Sequence, residues 1–218
     1  MVKNSEDKYE KALYYEIFNK EEYGFLKPNI QTAKTIFDIG WHVGFFSQWC
    51  RGLNKSATIY YFEPVTSLYN QALTRLWDDK AIIFSNYWIA AKTISSTILL
   101  NNEKSMQSSK YQSFLNPNWT PEKVNFKTLN EVIESNNINS IDVMKMDIEW
   151  MEFESLNALS QENREKIKCI AIEVHLLNDN LETERKGLSL KLSQEFTNIT
   201  IFPSPYNDKI FLTYATKF

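Results

Sequence analysis

The stretch Thr35-Ile-Phe-Asp-Ile-Gly-Trp-His-Val-Gly-Phe-Phe-Ser47 constrains this chain more than any other. It reads as a short strand of β-branched and aromatic residues, a tight turn around Asp38, Gly40 and Gly44, and the start of a helix. Only five glycines occur in 218 residues, so two in one turn mark a backbone that must take positive φ or approach another group closely. A helix beginning just past such a turn offers unpaired N–H groups and its positive dipole end to a ligand. Strand, glycine turn and helix together form a nucleotide-type binding unit.

Ala57-Thr-Ile-Tyr-Tyr-Phe-Glu-Pro64 supplies the second strand, and its Glu63 lies 19 positions past Gly44. A carboxylate about 20 residues beyond the glycine turn hydrogen-bonds ribose hydroxyls in mononucleotide-binding βαβ units. The spacing is not G-x-G-x-x-G and no G-x-x-x-x-G-K-[ST] run occurs, so neither a pyrophosphate nor a triphosphate cradle is indicated. A D-x-G-x-x-x-G turn with a strand-end glutamate fits a ligand with ribose and adenine but no phosphate, such as S-adenosylmethionine. The expected cofactor-binding set is Asp38, Gly40, Trp41, His42, Gly44 and Glu63, with His42 in a turn-holding role.

Helical spacing from Glu6 to Tyr23 predicts an N-terminal helix, and residues 1–30 read as a helical extension of one domain spanning 1–218. Strands are expected at 35–39, 58–62, 81–84, 97–100, 142–147, 169–174, 199–202 and 209–216. Helices are expected at 43–53, 67–77, 128–135, 152–159 and 181–196. The alternation implies an α/β fold with a mostly parallel sheet and helices on both faces. The last two strands are joined by a link too short for a crossover helix, so they form a hairpin with one antiparallel strand. The segment 101–127 breaks the rhythm. It is rich in Ser, Asn, Gln, Lys and Pro with aromatics interspersed, and reads as a lid or acceptor loop.

A formal charge of −3 and a pI near 5.6 give no basic field, which argues against nucleic acid as the main partner. Cys50 and Cys169 read as buried thiols rather than a disulfide, which points to a reducing, cytoplasmic setting. No apolar run near 18 residues predicts a membrane span, and no feature specifies an oligomeric state.

Val143-Met-Lys-Met-Asp-Ile-Glu-Trp-Met-Glu-Phe-Glu154 places Asp147 and Glu149 at the carboxyl end of a strand, where open α/β sheets hold ligands. Ile170-Ala-Ile-Glu-Val-His175 does the same for Glu173 and His175. Neighbouring strands would gather these four groups around one cleft. Three roles are open to them: base for a substrate hydroxyl, divalent-metal ligands, or hydrogen bonds to a polar substrate. Asp147, Glu149 and His175 are the candidate catalytic residues, and Lys145, Trp150 and Glu173 the candidate substrate-binding ones.

At these residues the chain resembles the FkbM family of S-adenosylmethionine-dependent methyltransferases. Phe37–Ser47, Tyr61-Phe-Glu-Pro64 and Leu129-Asn-Glu-Val-Ile133 carry the likeness. So do Ile141-Asp-Val-Met-Lys-Met-Asp-Ile-Glu149, Phe153-Glu-Ser-Leu156 and Ile172-Glu-Val-His175. The resemblance implies a Rossmann-like class I methyltransferase sheet and methyl transfer to a hydroxyl of a sugar, glycan or secondary metabolite. That family usually has a small residue where this chain has Trp41, asparagine at His42, glycine at Trp150 and alanine at Met151. Each Trp can stack on adenine or a sugar ring, or fill the pocket. A non-catalytic module of the same fold, its cofactor pocket altered by Trp41 and Trp150, is therefore the alternative.

Overall fold

The computed structural model describes residues 8–40, 42–101, 108–109, 119–148, 151–175, 181–203 and 210–217. α1 (Lys8–Tyr14) continues as a π-helical stretch, Tyr15–Asn19, and α2 (Lys27–Thr32) leads into β1 (Thr35–Ile39). α3 (Phe45–Leu53), β2 (Thr58–Phe62), α4 (Thr66–Leu76) and β3 (Ile82–Ser85) complete the first half. β4 (Trp88–Ile89), β5 (Ile94–Asn101), β6 (Ser108–Ser109) and β7 (Trp119–Lys127) follow. Next come α5 (Leu129–Ser135), β8 (Val143–Met146), α6 (Glu152–Asn157), α7 (Gln161–Glu165) and β9 (Cys169–His175). The chain closes with α8 (Leu181–Leu192), β10 (Asn198–Pro203) and β11 (Ile210–Thr216).

Seven strands form one sheet in the order β10-β11-β9-β8-β1-β2-β3. β3, β2, β1, β8 and β9 pair in parallel, so their carboxyl ends open on one edge. β11 is antiparallel to both β9 and β10, as the closing hairpin predicts. Strands covered on both faces must be apolar on both. All four residues of β8 are buried, and so are Ile36–Ile39 of β1. Lys145 and Asp38 are the two polar intrusions there, each buried beside the open edge.

The segment expected as a lid is built differently where it is described. β5 and β7 pair antiparallel over Ile94–Asn101 and Trp119–Lys127 in a second sheet of order β4-β7-β5-β6. Val124 and Phe126 are buried while Lys123 and Asn125 are exposed, so a period of two runs through this polar stretch. Trp88 stacks on Phe126 with ring centroids 5.7 Å apart. Residues 102–107 and 110–118 lie outside the described residues.

The N-terminal segment shares the main core. Ile17, Tyr23, Leu26 and Ile30 are buried in the same cluster as β1, and the Tyr23 ring meets Phe46 edge-on at 5.1 Å. At the amino end of the sheet, Asn54 Nδ2 donates to the carbonyls of Ile30 (2.7 Å) and Ala33 (2.8 Å), while its Oδ1 accepts from Ala57 N–H at 3.0 Å. One buried amide thus ties α2, α3 and β2 together. Asp142 accepts from Lys34 and Thr35 N–H at 2.7 and 3.0 Å and pairs with Lys168 at 2.6 Å.

Candidate active site

β1 ends in the glycine turn at the open edge. A Cβ on Gly40 (φ 85°) would stand 1.7 Å from the Asp147 carbonyl oxygen, so only glycine lets the turn lie against β8. Gly44 (φ 81°) starts α3, and a Cβ there would press on Ala72 and Leu76 of α4 at 3.2 and 3.1 Å. Between them His42 holds φ 153°, an uncommon value for a residue with a side chain. Its N–H donates to Glu63 Oε2 at 3.0 Å, and its carbonyl accepts from the Tyr61 hydroxyl and from Gly44 N–H. Its ring stacks on Phe45. These contacts tie the turn to β2 and to the start of α3.

Asp38 supports the turn from below. Its Oδ2 accepts from Ser47 N–H (3.1 Å) and Ser47 Oγ (2.6 Å), which ties the end of β1 to the first turn of α3. Burial raises its carboxyl above the ordinary value, against the pull of Lys145 and Ser47. Arg75 clamps the outside: its Nε donates to the Val43 carbonyl at 3.0 Å and its guanidinium lies 4.2 Å over the Phe45 ring.

Glu63 directly follows β2 and is fully buried. Oε1 accepts from Val65 N–H at 2.8 Å and Oε2 from His42 N–H. Burial pushes its carboxyl up to about 8, although those two N–H groups and Lys145 pull it down. Each carboxylate oxygen can accept twice, so a second acceptor position on each fits a ribose diol. Glu63 is fully buried with His42 N–H on Oε2, so a ligand does not reach these positions in this conformation. The residues therefore fit the cofactor in chemistry, and the turn must shift to admit it.

The next two strand ends carry the charged cluster. Lys145 Nζ donates to the Gly40 carbonyl at 2.9 Å and lies 3.5 Å from Asp147. Burial alone would lower this ammonium, but Asp147, Asp38 and Glu173 together outweigh it and hold it above its ordinary value. Lys145, expected at the substrate, is thus a buried tie between the turn and β8. Met146 pairs with Ile172, so Asp147, just past β8, and Glu173 of β9 stand at the same level. Atoms of Asp147, Glu173 and His175 lie within 4.8 Å of one another, close enough to converge on one acceptor atom or one cation. Burial and the Asp147 charge push Glu173 well above the usual carboxylate range, with His175 pulling the other way.

The sequence gives no prominence to Glu152. It starts α6 and is buried, and its Oε1 accepts from Ile148 N–H at 3.2 Å and lies 3.1 Å from His175 Nδ1. Its signal was diluted by three other acids within the same dozen residues. Trp41, Glu149 and Trp150 lie outside the described residues. Cys50 and Cys169 are buried free thiols, and no described helix is long and apolar enough to cross a membrane.

A family model described as the methyltransferase FkbM domain matches residues 38–200. No curated protein sequence matches the chain. Among solved structures, a Streptococcus mutans protein in complex with SAH aligns at TM-score 0.55 and 11% identity, over 92% of this chain and 97% of that one. A SAM-dependent O-methyltransferase from Thermotoga maritima aligns at TM-score 0.51 and 12% identity, over 94% and 71%. An rRNA methylase from Streptococcus thermophilus aligns at 0.52 and 12%, over 90% and 94%. At these identities the structural likeness shows the fold alone, a Rossmann-like methyltransferase sheet.

Proposed function

This chain belongs to the methyltransferase FkbM domain family, a methyltransferase with S-adenosylmethionine as its cofactor, and from that premise we propose that it methylates a hydroxyl of a small molecule, sugar or glycan. The observation that carries this reading is the convergence of Asp147, Glu173 and His175 within 4.8 Å beside the glycine turn. A hydroxyl must lose its proton to become a good nucleophile, and it needs a base at the reacting oxygen. Nitrogen and sulfur nucleophiles need that help less.

S-adenosylmethionine, when bound, supplies an electrophilic methyl group. Glu63 and the turn from Gly40 to Gly44 would hold it, Glu63 by accepting from the ribose hydroxyls. His175 takes the acceptor proton. Asp147, fixed by Lys145, accepts from the acceptor hydroxyl or its neighbour. Glu173, on the neighbouring strand within 4.8 Å of Asp147 and His175, hydrogen-bonds a further hydroxyl of the acceptor. Most of the rate would come from holding the acceptor oxygen in line, a positioning task. A cleft rimmed by carboxyl groups, on a chain of net charge −3, favours a neutral polyol over a phosphate backbone.

The test is calorimetric titration of ligand-free protein with S-adenosylmethionine and S-adenosylhomocysteine, followed by transfer of labelled methyl to a panel of sugars, glycans and hydroxylated metabolites. Micromolar binding and label on a hydroxyl oxygen are the expected results. A folded protein that binds neither compound overturns the reading in favour of a pocket altered by Trp41 and Trp150. Label found only on nucleic acid overturns the acceptor class.

A further inference from the structure

We propose that Glu152 is a positioning residue that holds His175 as the Nδ1–H tautomer, with Nε2 directed at the Asp147–Glu173 cleft. The inference rests on the methyl-transfer reading above, with His175 as the base. Glu152 Oε1 lies 3.1 Å from His175 Nδ1, and the same oxygen accepts from Ile148 N–H at 3.2 Å. A carboxylate accepts only, so Nδ1 must carry the hydrogen, and the lone pair then sits on Nε2. Nε2 faces Glu173 Oε1 at 3.6 Å, on the side where Asp147 also converges.

Ile148 directly follows Asp147, so its N–H anchors the carboxylate to the strand end that carries the cleft. The dyad is therefore referenced to β8 as well as to β9. A purely structural role is a poor account of this residue. Glu152 is 1% exposed, and its Oε2 has no hydrogen-bond partner among the described residues. Burying a carboxylate with one oxygen unsatisfied is costly, and a Ser or Thr would bond the Ile148 N–H without that cost. A neighbouring imidazole that gains a positive charge offsets it. A proton taken from an acceptor hydroxyl would sit on Nε2, and the carboxylate would stabilise the resulting imidazolium until the proton passes to water.

Long-range proton–nitrogen spectra of the 15N-histidine-labelled chain at neutral pH test this directly. The chain has two histidines, so His42→Asn assigns both rings. The expected wild-type spectrum gives His175 a protonated Nδ1 and a pyridine-type Nε2, and Glu152→Ala moves the pyridine-type signal to Nδ1. A wild-type His175 in the Nε2–H form, or protonated on both nitrogens, overturns the proposal whether or not the variant folds. So does an unchanged signal in folded Glu152→Ala. S-adenosylhomocysteine titrated into the same wild-type sample separates the two readings. An Nδ1–H ring without ligand binding sinks the methyl-transfer reading, whereas binding with an Nε2–H ring sinks only the role of Glu152.

Discussion

At the amino ends of the central strands, Asp142 receives two backbone N–H groups and Lys168, and these bonds outweigh burial and hold its carboxyl below the ordinary value. At the carboxyl ends, Glu63 also receives two backbone N–H groups, yet burial wins and pushes it up to about 8. The difference is the neighbourhood. Asp142 has its own lysine and keeps some contact with water. Glu63 is fully enclosed and shares Lys145 with Asp38, Asp147 and Glu173. One end of the sheet satisfies its charges and serves stability. The other crowds carboxyl groups around one ammonium, the arrangement that makes this edge the candidate site.

The sharpest way to break this contrast is His175→Ala. Loss of a positioned base should lower turnover by roughly 10²- to 10⁴-fold, with S-adenosylhomocysteine affinity nearly unchanged. An equal loss of affinity would mean that His175 serves folding and not chemistry. Asn54→Ala attacks the opposite end. It leaves the carbonyls of Ile30 and Ala33 without their donor and should cost about 3 kcal/mol in denaturant unfolding, with the activity of the folded fraction intact. A loss of activity at full stability would blur the division between the two ends.

Glu63→Gln should weaken S-adenosylhomocysteine by about 10- to 100-fold, the worth of hydrogen bonds to a charged group. Wild-type affinity should tighten as pH rises through about 8, because the ionised carboxylate is the form that accepts ribose hydroxyls. Stability should move the other way. The folded carboxyl binds its proton more tightly than the unfolded one, so the stability that this site contributes is full below its ordinary 4.5 and lost as pH rises towards 8. A thermal melting series that is flat over this window would show that Glu63 is already ionised without ligand.

Asp142→Asn is the smallest change and has the opposite sign. The folded carboxyl lies below its unfolded value, so its contribution is present above that value and disappears as acid protonates the folded form. The substitution should cost about 2 kcal/mol at neutral pH and flatten the acid limb of the melting curve. Equal acid sensitivity in both proteins would remove Asp142 from the account.

Much of the frame was legible in the sequence because it depends on local pattern. Thr35–Ile39 and Thr58–Phe62 are strands at the expected residues, and the short closing link does force an antiparallel β11. Gly40 and Gly44 of the turn both take positive φ. The segment 101–127 was read by composition, and composition misled where a strand with one wet face alternates polar and apolar residues.

The sequence by itself determined the sheet class, the glycine turn, and the place of Asp147, Glu173 and His175 at the carboxyl ends of strands, since strand period is local. The pairing of β8 with β9 that brings the three together is tertiary. Only the tertiary structure decided what each charge faces. It turned Lys145 inward to the Gly40 carbonyl, gave Asp38 to Ser47, enclosed Glu63 and set Glu152 against His175. Hydrogen bonds and burial depend on atoms brought together across the sheet, 105 residues apart in the chain for Lys145 and Gly40, and no spacing along the chain encodes which partner lies within 3 Å.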